Sequence, residues 1–192
     1  MIELLKTFRA IVDPSKFAHK RWVTEEEGEL LYNLVKKYDI NTFIESGTAN
    51  GFSACYVAAA LPNDGFVFTF DPIDRPKLWD YSYGVENLKS KIEYIQQEFN
   101  SLPNYMEWRS FEGKKQIVHP LAIFIDGDHG GSSVREDWNI TRPYLRAKDI
   151  VIFHDLDMTG PRRVFGEAQQ ESPNSKSYIV NTKRITGILE IA

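Results

Sequence analysis

Apolar runs in this chain end again and again on ionisable residues. Glu45 follows Phe43-Ile44, and Asp71 follows Phe66-Val67-Phe68-Thr69-Phe70. Asp126 follows Leu121-Ala122-Ile123-Phe124-Ile125, and His154-Asp155 follows Ile150-Val151-Ile152-Phe153. Carboxylates in such places can hold cationic or hydroxyl groups, and imidazole can remove a proton near neutral pH. The densest cluster is Asp126-Gly127-Asp128-His129-Gly130-Gly131. Ionisable groups and flexible glycines are costly at the end of a buried strand, so a function explains them better than packing does.

The elements that must position these residues follow from the flanking pattern. Glu45-Ser46-Gly47-Thr48-Ala49-Asn50-Gly51-Phe52-Ser53 leads into Ala-rich Ala54 to Leu61, whose apolar residues fall at helical spacing, so the segment reads as strand, tight turn and helix. Gly47 admits dihedrals closed to other residues, and Gly51 lets a ligand or the sheet come close to the backbone. The turn's N–H groups and the helix dipole are expected to point outward at a ligand. The pattern E-x-G-x-x-x-G is neither G-x-G-x-x-G nor a P-loop. An acid before the glycines would repel a pyrophosphate but can bind an ammonium group.

Thr24 predicts a helix N-cap with Glu27 completing a capping box and Leu30, Leu31, Leu34 and Val35 as the apolar stripe. Glu25 to Glu27 read as the dipole's complement rather than as a site. A second strand at Phe66–Phe70 after the Ala-rich helix implies a right-handed parallel crossover, which puts Asp71 beside Glu45, where nucleotide-binding α/β folds place an acid on a ribose hydroxyl. The aromatic loop from Ile73 to Gly84 is a candidate substrate wall. Further along, Val85 to Phe99 reads as a helix, Tyr105 to Arg109 as a weak strand and Lys114 to Val118 as a short helix. Ser132 or Ser133 caps a helix to about Tyr144, and Pro161 suits the first turn of the next. Ser177–Val180 and Ile185–Ile191 form a terminal hairpin. The strand-end residues then share one sheet edge, the ligand crevice of open parallel sheets.

The chain has 192 residues, 42% of them hydrophobic and 26% charged, which fits one globular domain. Residues 24–192 are expected to form it, with residues 1–23 as a helical extension that either lids the pocket or contacts a second subunit of a homo-oligomer. A net charge of -4 without a basic block argues against nucleic-acid binding. No apolar run approaches membrane-spanning length and no secretory signal opens the chain, so a soluble cytoplasmic protein is expected, with no membrane partner. The single cysteine, Cys55, lies on the Ala-rich helix and reads as a core residue.

The Glu45–Gly51 turn resembles the first motif of the class I S-adenosylmethionine-dependent methyltransferases. Ile125-Asp126-Gly127-Asp128-His129 and Ile152-Phe153-His154-Asp155 resemble their small-molecule O-methyltransferase branch, related to the catechol, caffeoyl-CoA, macrolide and aminocoumarin sugar enzymes. Thr186-Gly187-Ile188-Leu189 suits that branch's closing strand, and the likeness runs from Thr24 to the end. It implies an α/β, Rossmann-like methyltransferase fold: a mostly parallel seven-stranded sheet with a C-terminal antiparallel hairpin and helices on both faces. It also implies methyl transfer from S-adenosylmethionine to a hydroxyl of a small-molecule acceptor, such as a sugar, a phenol or a natural product.

By the same resemblance, Glu45, Gly47, Thr48, Gly51, Ser53, Asp71 and Asp126 would hold the cofactor, with Phe111 against the adenine. Asp128, His129 and His154 are the catalytic candidates, Asp128 matching the base of some sugar methyltransferases. In relatives, residues matching Asp126 and the pair His154-Asp155 hold a divalent ion, so Mg or Mn is the candidate metal. His154 departs from the commonest Asp-Asp or Asp-Asn pair. Imidazole is a poorer magnesium ligand than a carboxylate and would favour Mn, Fe or Zn, or no metal at all, and His154 is itself a candidate general base. Ala49 stands where relatives often carry glycine. A nicotinamide-dependent oxidoreductase and a non-catalytic nucleotide- or partner-binding module are the alternative classes.

Overall fold

The computed structural model describes residues 23–74, 86–112 and 116–192. The expected lid or interface before Val23 and most of the aromatic loop lie outside the described residues. Thr24 caps α1 (Glu25–Lys37) through the capping box, with Glu25 to Glu27 in the first turn and Lys36 and Lys37 in the last, each sign at the dipole end that favours it. Then follow β1 (Thr42–Ser46), α2 (Phe52–Ala60) and β2 (Phe66–Phe70). Next come α3 (Glu86–Lys89), β3 (Ile92–Ile95) and α4 (Leu102–Phe111). The chain continues through β4 (Leu121–Ile125), α5 (Gly131–Thr141), β5 (Ile150–Phe153) and α6 (Thr159–Glu171), and ends in β6 (Lys176–Asn181) and β7 (Ile185–Glu190).

The strands form one seven-stranded sheet in the order β3-β2-β1-β4-β5-β7-β6. β1 to β5 are parallel, whereas β7 runs antiparallel to both β5 and β6. Side chains alternate across the sheet, which splits the apolar residues into two cores. Phe43, Phe124 and Ile152 pack with Leu31, Leu34 and Val57 of α1 and α2 on one face. Ile44, Ile123 and Phe153 pack with Trp138 and Val164 of α5 and α6 on the other. The central strands β1, β4 and β5 are fully buried, as parallel strands covered on both faces must be.

Four sequence expectations give way here. Val85 to Phe99 is not one helix but a short α3 followed by β3, and Tyr105–Arg109 is not a strand but the middle of α4. β3 is an edge strand whose pattern is half polar, yet Glu93 accepts hydrogen bonds from Tyr105 and Arg109 of α4. Tyr105 and Arg109, four residues apart, share one helix face and hold that edge from above. Residues 116–118 are irregular rather than helical. The first turn of α5 begins after Gly130 rather than at a serine cap.

Candidate active site

The turn after β1 is shaped by contact with the end of β4. Gly47 has φ 93°, and a Cβ there would lie 2.4 Å from the Asp126 carbonyl oxygen, so no other residue fits without displacing the backbone. Ala49 takes φ 45°, an uncommon region for a residue with a side chain, so the turn survives the missing glycine. Its N–H donates to Asp71 Oδ2 at 2.9 Å. The Gly47 and Thr48 amides donate to the Phe70 carbonyl and the Gly51 amide to that of Thr48. The expectation that the turn's amides point outward at a ligand is therefore corrected: those at 47, 48, 49 and 51 are spent in joining β1 to β2 and closing the turn.

Beneath the turn lies a buried polar layer. Thr69 stands beside Glu45 in the sheet register. Thr69 and Ser53 donate one hydroxyl each to the two Glu45 oxygens, and Thr48 Oγ1 lies 2.6 Å from Thr69 Oγ1. Burial of Glu45 pushes its pKa up to about 8, against the opposing hydrogen bonds from Ser53 and Thr69. Glu45, Thr48 and Ser53 thus support the turn from below, and none of them lines the crevice above it.

That crevice, of about 440 Å³, opens at the carboxyl edge of β1, β2, β4 and β5, a volume within the range of small-molecule sites. Gly47, Asp71 and Asp126 line it, as do Asp128, His129 and His154. Asp71 is fixed at its wall by the amides of Ala49 and Ile73. Gly51 starts α2 at φ 80° and does not line the crevice. Phe111 ends α4 rather than a strand; its side chain lies outside the description. Ser46, Glu98, Glu136, Asp137 and Arg184 also line the crevice, and none was flagged by the sequence. Asp137 was legible: Val134, Trp138 and Thr141 form the buried stripe of α5, and position 137 falls inside it.

The ionisable groups differ sharply in state. Asp128 accepts from Ser133 Oγ at 2.8 Å and from the Gly130 amide, bonds that hold its pKa below the usual range. It therefore orders the loop and is a weak proton acceptor. His154 is 3% exposed, with Nδ1 2.6 Å from Asp126 Oδ1. Its Nε2 lies 3.4 Å from Glu27 Oε1, close enough for an ion pair though too poorly aligned for a hydrogen bond. Burial alone would lower its pKa, but Asp126, Glu27 and Asp155 outweigh burial and push it up to about 10. Glu27 is held down to about 2: burial raises it, and His154 and the Thr24 cap more than offset that. Read from sequence only as a capping residue, Glu27 is both cap and counter-ion.

Asp155, at φ 55°, is buried, and both its oxygens lie 2.9 Å from Arg184 Nη1. His129 Nδ1 lies 3.0 Å from Asp155 Oδ2. Asp126, His154 and Asp155, the expected metal ligands, are brought together, with ligand atoms within 4.8 Å of one another.

A seven-stranded sheet of this order, with an acid-rich crevice over the β1 turn, defines a class I, Rossmann-like methyltransferase fold. The chain belongs to a methyltransferase family: the model described as a methyltransferase domain matches residues 44–156. Solved structures agree on the fold. An O-methyltransferase from Bacillus cereus in complex with SAH is 18% identical, with a TM-score of 0.70 over 98% of this chain and 90% of that one. TomG from Streptomyces achromogenes, an O-methyltransferase involved in tomaymycin synthesis and solved with SAM, is also 18% identical. Its TM-score is 0.70 over 99% of this chain and 90% of that one. A methyltransferase from Geobacter sulfurreducens is 16% identical, with a TM-score of 0.70 over 99% and 89%. No curated protein matches the sequence. Among the described residues no helix is long and apolar enough to cross a membrane.

Proposed function

We propose that this methyltransferase moves the methyl group of S-adenosylmethionine to a hydroxyl of a small molecule. The observation that carries the reading is the crevice itself, where the Gly47 turn, Asp71 and Asp126 meet His129 and His154. Its carboxylates, from Asp71, Glu98, Asp126, Asp128 and Glu136, outnumber its cations. Such a field favours a cofactor bearing ammonium and sulfonium groups and disfavours the pyrophosphate of a nicotinamide dinucleotide. Asp71 is the residue for the ribose hydroxyls, and Asp126 lies between cofactor and acceptor. Glu45 acts through the turn it supports rather than by touching the cofactor.

When bound, S-adenosylmethionine would supply a methyl group on a positively charged sulfur, which would leave as a neutral thioether when the acceptor oxygen takes the methyl. The residues must align the two reactants, which is worth several kcal/mol of barrier, and take the acceptor's proton. His129 suits the second task better than His154. Asp155 lies against its Nδ1, which favours the tautomer whose Nε2 is an acceptor. His154, already protonated up to about pH 10, has no site for a further proton. A thermal-shift comparison tests the class: S-adenosylmethionine should raise the melting temperature and NAD should not. The reverse ranking would favour the oxidoreductase reading. His129→Gln should then lose transfer while retaining cofactor binding, an outcome that also separates an enzyme from a binding module.

A further inference from the structure

We propose that Arg184 is the resident cation of the acceptor side of the crevice, closing the Asp126–His154–Asp155 cluster to divalent ions so that transfer needs none. The inference deepens the methyltransferase reading and rests on it for the reaction alone. The donor set does not fit a hard ion. Asp155, the most buried of the three, is 1% exposed and has both oxygens 2.9 Å from Arg184 Nη1. Asp126 Oδ1 and His154 Nδ1 stand 2.6 Å apart as a hydrogen-bonded pair. Two neighbouring ligands of an octahedral ion with bonds of about 2.1 Å would be about 3 Å apart, with no proton between them. An incoming ion would have to break that bond and displace a guanidinium, which keeps its charge at every accessible pH.

Arg184 is also fixed to the fold. Its backbone N–H donates to Glu27 Oε1 at 3.0 Å, and the Lys183 N–H to Glu26 Oε2 at 3.2 Å. The β6–β7 hairpin is thereby held on the first turn of α1, and the arginine side chain forms part of the crevice wall. A guanidinium in this place can donate hydrogen bonds to an acceptor oxygen that carries partial or full negative charge. Positive charge at the acceptor is thus part of the chain.

The test is Mn2+ uptake by the full chain, followed through the EPR signal of the free ion, in wild type, Arg184→Lys and Arg184→Gln. Wild type and Arg184→Lys should take up no Mn2+ below about 1 mM, and Arg184→Gln should gain one site that a further Asp155→Asn change abolishes. Arg184→Met serves as the neutral variant if the glutamine chain does not keep the wild-type circular dichroism. Stoichiometric uptake by wild type that Asp155→Asn removes would overturn the proposal. So would a folded neutral variant that binds no more Mn2+ than wild type. Calorimetric binding of S-adenosylhomocysteine to the same samples separates the two readings: a wild type that binds both the nucleoside and Mn2+ overturns this inference alone.

Discussion

Ser46 Oγ donates to Asp137 Oδ2 across 2.7 Å, tying the last residue of β1 to the inward face of α5. Burial raises the Asp137 pKa to about 7, opposed only in part by the Ser46 hydrogen bond. The folded state therefore holds a proton that the unfolded carboxyl releases near its ordinary value of 3.8. Between those values stability should fall as pH rises, because the folded state binds more protons. Asp137→Asn should remove this slope, since the amide keeps an oxygen for Ser46 without a charge. Asp137→Ala should cost about 1–3 kcal/mol by leaving a buried hydroxyl unpaired. Urea unfolding across this range checks both, and an unaltered slope in Asp137→Asn would refute the first.

Within the Glu27–His154 pair the two groups should produce pH dependences of opposite sign. His154 contributes stability that is complete below its ordinary value of 6.5 and is lost as pH rises through about 10. Glu27 contributes stability present above 4.5 and lost as pH falls through about 2. Removing one partner of a buried pair is costly, so Glu27→Ala should destabilise by about 3 kcal/mol. Nitrogen NMR of the His154 ring in mildly alkaline buffer should show both nitrogens protonated. A neutral ring there would contradict the assignment and restore His154 as a candidate base.

Two glycines separate stability from binding. At Gly28 an added Cβ would sit 2.5 Å from the Tyr56 ring, on the packed face between α1 and α2. Gly28→Ala should destabilise by about 1–3 kcal/mol through overpacking and leave cofactor affinity alone. Gly47→Ala meets backbone at the crevice wall and carries a positive φ besides. It should cost at least about 2 kcal/mol and also weaken S-adenosylhomocysteine at least tenfold, about 1.4 kcal/mol. Paired melting and binding measurements that move together in both variants would refute this division.

Glu45 gives a test of what lies beneath the turn. With its pKa near 8, it is mostly protonated at neutral pH, and glutamine has the same shape as that form. Glu45→Gln should therefore bind cofactor within about threefold of wild type, well under the 1.4 kcal/mol of a tenfold change. A loss beyond tenfold would show that the carboxylate charge itself meets the ligand, as the sequence motif led one to expect.

Much of this arrangement was legible in the sequence because parallel strands covered on both faces leave continuous apolar runs. Leu121–Ile125 and Ile150–Phe153 mark their own ends, so the sequence alone puts Asp126 and His154-Asp155 on one edge. β3 escaped because Ile92-Glu93-Tyr94-Ile95 is short and half polar, and what identifies it as a strand is its pairing with β2. The motif makes Glu45, Thr48 and Ser53 cofactor contacts, and none of the three lines the crevice, because a motif gives order along the chain but not depth below a surface. Arg184 was hidden in a hairpin turn; its role arises only when β7 returns antiparallel beside β5 and delivers the turn to α1.

We propose the crevice over Gly47, between Asp71 and Asp126, as the S-adenosylmethionine site. Calorimetric titration of S-adenosylhomocysteine into wild type and Asp71→Ala, each checked for native circular dichroism, tests it most directly. Saturable binding at micromolar Kd, roughly -8 kcal/mol, weakened at least tenfold in the variant, is the predicted result. No saturable heat in wild type, or equal affinity in the two chains, would contradict it.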